Sequence, residues 1–151
     1  MRVYLVIVDE SEESLVALRF ASRRAAKTEG VVHLLALVPP QQFSAFAGVQ
    51  ATIEEEARAR AETLATAAAG KLLSEGGKMP VIVVRMGDDV KVVRQYLSEH
   101  PEVSALVLGA AKEGTPGALV SHFAGSAVGQ LPCPVFVIPG SLDDAAIERV
   151  S

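Results

Sequence analysis

The sequence predicts an α/β protein built on one doubly wound parallel sheet. Five short apolar runs recur along the chain, each rich in Val, Leu and Ile. Segments with helical spacing separate them, and no linker, repeat or low-complexity tract divides the 151 residues. Runs that are continuously apolar, rather than alternating, fit strands covered on both faces. Helical crossovers between them imply parallel strands and right-handed connections. The length suits one domain with a real core, closed by a tail of about ten residues.

The first strand is Val3 to Val8, bounded by Asp9. Asp9 and Glu12 have capping-box spacing, and Ser11 is a second candidate cap for the helix that follows to about Thr28. Gly30 suits the end of that helix. Val31 to Val38 forms the second strand, stopped by Pro39 and Pro40. The stretch QQFSAFAGVQ reads as a connection, in which Phe43 and Phe46 either cover a pocket or pack at a dimer contact. A long Ala-, Glu- and Arg-rich helix runs from about Thr52 to Ser74, with Ile53, Ala57, Ala61, Leu64, Ala68 and Leu72 near one face. Gly76 and Gly77 stop it.

Val81 to Met86 is the third strand. Asp88 is the N-cap of a helix carrying Val90, Val93 and Leu97, and Pro101 marks its end. Val103 to Leu108 is the fourth strand and Val135 to Ile138 the fifth. A helix lies between Pro116 and Leu131, and Asp143 to Val150 forms a short helix in the tail.

Composition excludes several function classes. The net charge of −4 gives no electrostatic reason to expect nucleic acid or an anionic membrane. No apolar run approaches the ~20 residues of a membrane span. The opening MRVYLVIVDE reads as a strand rather than a signal peptide, which makes the cytoplasm the expected compartment. Cys133 is the single cysteine, so no intrachain disulfide forms, and its setting between two prolines reads as a small buried hydrophobe. His33, His100 and His122 have no metal-site spacing, and no metal ligands are assigned among them. A nucleophile elbow, a Cys with a nearby base and a Walker-type Gly-Lys-Ser/Thr are all missing. The expectation is a binding protein rather than an enzyme.

Ligands of doubly wound sheets bind outside the carboxyl ends of the strands. Here those ends are Asp9, Val38-Pro39, Gly87-Asp88 and Gly109. The stretch after the fourth strand, LVLGAAKEGTPGALVSHFAGSAVGQLPCPVFVIP, admits two readings. In one, a helix starts at Gly125-Ser126 and aims free N–H groups at a phosphate, with Lys112 supplying charge. In the other, Thr115 caps the helix and Pro116 is its first residue. Leu119, Val120, Phe123, Ala124, Ala127, Val128 and Leu131 then form one stripe that runs straight through Gly125. An anion site would in that case move to the stretch from Gly114 to Gly117.

The segments VYLVIVDESEESLVALRFA, VRMGDDV and LVLGAAKEGTPG…GSAVGQLPCPVFVIPG resemble, in this order, the universal stress protein family. The resemblance spans essentially the whole chain. It implies a Rossmann-like sheet, of the adenine nucleotide α-hydrolase-like type, in strand order 3-2-1-4-5. It also implies a cytoplasmic homodimer paired along the last strand, Val135 to Ile138. Many members bind ATP or AMP, with magnesium accompanying ATP. Their aspartate after the first strand corresponds to Asp9, and their adenine position lies near Val38. Their Gly-x2-Gly-x9-Gly-Ser/Thr motif starts at Gly109 here and closes at Gly125-Ser126. The spacing departs from the pattern in both registers. From Gly109 the second position is Lys112, and Gly125 comes three residues late. From Gly114 the second position is Gly117, and Gly125 comes two residues early. The nucleotide contacts the resemblance implies are thus Val8, Asp9, Val38, Leu108, Gly109, Lys112, Gly114, Gly117, Gly125 and Ser126. The alternative is a dimeric interaction module of the same fold that binds no nucleotide.

Overall fold

Apolar runs that must be buried on both sides become the inner strands of a five-stranded sheet. The computed structural model describes residues 1–43 and 45–151. The strands are β1 (Val3–Val8), β2 (Val31–Val38), β3 (Val81–Met86), β4 (Ala105–Ala110) and β5 (Val135–Pro139). All neighbours pair in parallel, in the order β3-β2-β1-β4-β5. Central β1 is buried at every residue.

The two-residue period of a strand sends alternate side chains to opposite faces. Tyr4, Val6 and Val8 of β1 therefore face one core, with helices α1 (Glu12–Thr28), α2 (Ala47–Ser74) and α5 (Asp144–Val150). Val3, Leu5 and Ile7 face the other, with α3 (Asp89–Glu99) and the segment after β4. Filling both faces drives the fold, since burying one Val or Leu side chain contributes about 1.5–3 kcal/mol.

Several boundaries differ from the expectation, each for a local reason. Ser11, not Asp9, caps α1, because its hydroxyl accepts from the Ser14 N–H. Glu29 takes the left-handed conformation that ends α1. Gly30 is needed for a different purpose, because a Cβ there would lie 2.6 Å from the Arg2 carbonyl oxygen. Helix α2 starts at Ala47, five residues before Thr52, and so absorbs the end of the QQFSAFAGVQ connection. Strand β4 starts at Ala105 rather than Val103, whose N–H closes a turn onto the His100 carbonyl. Strand β5 extends one residue further, to Pro139.

The segment after β4 departs most. Its helix α4 (Ala118–Ser121) is capped by Gly117, and neither Thr115 nor Pro116 takes its expected place. Gly117 adopts φ +115°, a conformation that L side chains rarely reach. A π turn, His122–Ser126, and a 3₁₀ turn, Val128–Gln130, come next. The single stripe does not continue, since Gly125 has non-helical dihedrals. Val120, Phe123 and Ala127 stay buried, whereas Ala124 and Val128 are exposed. The kink at Gly125 explains the loss of the stripe, because residues on either side of it no longer share one helical face.

Among the described residues, no helix is long and apolar enough to cross a membrane.

Candidate functional site

Asp9 follows the last buried residue of β1 and is exposed at the carboxyl rim of the sheet. Its Oδ1 accepts two hydrogen bonds from Ser11, one from the backbone N–H at 2.8 Å and one from the hydroxyl. The Ser11 hydroxyl in turn accepts from the Ser14 N–H at the start of α1. The carboxylate is thus oriented through a serine by the helix it precedes. Both bonds use Oδ1, and among the described residues Oδ2 makes no hydrogen bond at the rim.

Three cavities meet at this residue. The largest, about 420 Å³, is floored by Ala36 and Val38 of β2 and walled by Pro39, Gln41 and the α2 residues Ala57, Arg60, Ala61 and Leu64. The second, about 340 Å³, lies on the other side of β1 and β2, against Leu37, Pro40, Asp88, Asp89 and Leu119. The third, about 120 Å³, lies between α1 and the start of α4 and is lined by Leu108, Gly109, Pro116, Gly117 and Ala118. It also holds Glu13 and Asp89, so its walls are acidic.

The expected contacts divide on this geometry. Asp9, Val38, Leu108, Gly109 and Gly117 line the cavities that converge at the rim. Val8 is fully buried in the core beneath them. Lys112, Gly114, Gly125 and Ser126 are exposed and line none of the three. Lys112 lies 3.9 Å from Glu12, an exposed pair. Gly109 is committed to packing, since a Cβ there would overlap the Glu13 carbonyl of α1. Gly114 sits at φ +73° with open space around it. The chain between β4 and α4 is closed by one backbone bond, Ala111 N–H to the Pro116 carbonyl at 3.2 Å.

Sequence reasoning missed the α2 wall, Arg60 and Leu64 above all. The long helix was legible, but nothing in its spacing shows that its middle turns stand over the end of β2. Phe43 and Phe46 are largely exposed, at 84% and 75%.

A parallel sheet whose connections reverse direction between β1 and β4, with helices on both faces, defines a doubly wound α/β protein. The universal stress protein family model matches residues 1–139, and the chain belongs to that family. Solved structures agree on the fold. The universal stress protein UspA from Lactobacillus plantarum superposes with a TM-score of 0.71 at 21% identity, covering 91% of this chain and 97% of that one. A family protein from Arabidopsis thaliana with AMP bound gives 0.59 at 16% identity, covering 92% of each chain. A universal stress protein from Archaeoglobus fulgidus in complex with dAMP gives 0.55 at 15% identity, covering 91% and 97%. No curated protein sequence matches the chain.

Proposed function

We propose that the protein is a nucleotide-responsive regulatory protein that binds an adenine nucleotide, AMP in preference to ATP, at the rim around Asp9. The observation that carries this reading is the convergence of three cavities on one carboxylate with an oxygen to spare. The 420 Å³ cavity is of the size expected for a small-molecule pocket, and its apolar floor at Val38 suits a flat base. Asp9 Oδ2 accepts from a ribose hydroxyl. The 120 Å³ cavity beside Leu108, Gly109 and Gly117 takes the phosphate end. Its small volume and its acidic neighbours Glu13 and Asp89 favour one phosphate over three, because like charges at short range repel. ATP would need magnesium to offset them.

Lys112, Gly114, Gly125 and Ser126 remain proposed as peripheral contacts, reached only if the exposed stretch after β4 folds over the ligand. Val8 supports Asp9 from beneath. Binding rather than turnover is the proposed activity. The reading carries with it a cytoplasmic protein of one domain, dimeric through the sheet edge at β5, where Val137 is 38% exposed.

Isothermal titration tests the proposal. AMP is expected to bind more tightly than ATP without magnesium, and Asp9→Ala is expected to weaken AMP at least tenfold. No heat with either nucleotide at millimolar concentration would overturn the reading. It would leave the second one, a module acting through protein contacts, which the exposed β5 edge favours. A monomeric mass by light scattering at tens of micromolar would remove the dimer.

A further inference from the structure

The opposite rim of the sheet gathers side chains that are far apart in sequence. His33 is the third residue of β2, while His100 and Glu102 lie in the turn from α3 to β4. One ligand atom from each lies within 4.8 Å of the other two. We propose that His33, His100 and Glu102 form a binding site for a divalent transition metal ion of the zinc type, with a further coordination position open to solvent. The site is remote from Asp9 and independent of the nucleotide reading.

The donor set has the right chemistry. Two imidazoles and one carboxylate are a set that zinc accepts with one position left over, and imidazole also suits nickel, cobalt and copper. Bonds of about 2.0–2.2 Å place tetrahedral ligand atoms about 3.4 Å apart, so small side-chain movements within the existing cluster suffice. His100 Nδ1 and Glu102 Oε1 are already 2.9 Å apart. An ion would exchange that direct bond for two bonds to itself.

The rings are held in place. Tyr96, almost fully buried, puts its Oη 2.8 Å from His33 Nδ1 and stacks on His100 with ring centroids 4.0 Å apart. Ligating imidazoles are commonly fixed by a hydrogen bond at the other ring nitrogen. Ligation of His33 through Nε2 would leave the Tyr96 bond in place. His100 is the C-cap residue of α3, where the helix dipole favours a cation. His122 stands apart from this group, 2.9 Å from Arg94, and serves as a control.

Competition for zinc between the metal-stripped protein and a chromophoric chelator tests the site. One equivalent is expected to bind with a Kd of about 1 μM or tighter. Glu102→Gln and His100→Gln are each expected to weaken it at least tenfold, and His122→Gln to leave it unchanged. Glu102 is exposed and His100 only half-buried, so the fold of both variants is checked by circular dichroism without metal. Cobalt is expected to give the intense visible bands of a four-coordinate site. No binding at tens of micromolar zinc would overturn the proposal. So would binding that neither Glu102→Gln nor His100→Gln changes, or that His122→Gln weakens equally.

Discussion

The two sides of the carboxyl rim are built differently. Beside β2, Asp9 and Val38 open onto a cavity of about 420 Å³. Beside β4 the space is about 120 Å³, and Gly109 is pressed against α1. The first side keeps room for a ligand. On the second, glycines serve other ends: Gly109 admits a helix, Gly117 caps one and Gly125 interrupts one. Glycine count in a loop is therefore a poor measure of how much phosphate it can hold. What matters is which amides are left unbonded and what stands in front of them.

That contrast is open to attack by substitution. The largest effect is expected from Phe123→Ala, which empties a fully buried ring beneath the β4 side. It should cost about 3–5 kcal/mol in urea unfolding, and a cost under about 1 kcal/mol would mean that this side is not held by packing. Gly109→Ala comes next, at about 3 kcal/mol, because the Glu13 backbone cannot move aside without shifting α1. A neutral Gly109→Ala would return that glycine to a ligand-facing role. Gly125→Ala is expected to change stability by less than about 1 kcal/mol, since nothing lies within 4 Å of its Cβ position. As a peripheral contact it should lower AMP affinity less than threefold, and a tenfold loss on titration would make Gly125 a central contact.

The smallest effect concerns Cys133, which packs against the same cluster as Phe123. Burial pushes its thiol above the usual range. At pH 8 the native protein should therefore react with a thiol reagent at least tenfold more slowly than the urea-unfolded chain. The linked effect on stability has a definite sign. The folded state retains the proton longer, so stability falls as pH rises above about 8.5. Equal reaction rates in the two states would show that this side of the sheet opens readily.

Much of the fold was legible because β-branched runs and helical spacing carry it directly. Strands β1, β2 and β3 fall where their apolar runs lie. The start of β4 was less so, because Val103 is as apolar as a strand residue yet sits in a turn. The helix after β4 was misplaced for a related reason. Gly117 caps it through backbone conformation alone, whereas Thr115 and Pro116 carry the side-chain signals. The kink at Gly125 also leaves little trace in spacing, since Phe123 and Ala127 remain buried on either side of it. At the rim, Asp9, Val38 and Gly109 came from the rule that places ligands at strand ends. Arg60 and Leu64 did not, nor did the meeting of His33 with His100, because those contacts depend on how a helix or a turn lies across the sheet.

The inner face of α2 is almost all alanine, with Leu72 the one larger side chain among its buried positions. Alanines make shallow ridges, so this helix rests on β2 and β3 without interlocking teeth. The same helix supplies one wall of the 420 Å³ cavity, opposite a floor held in a full hydrogen-bonded ladder. Tolerance for a bulkier guest would therefore come from a sideways glide of α2, with the strands staying put.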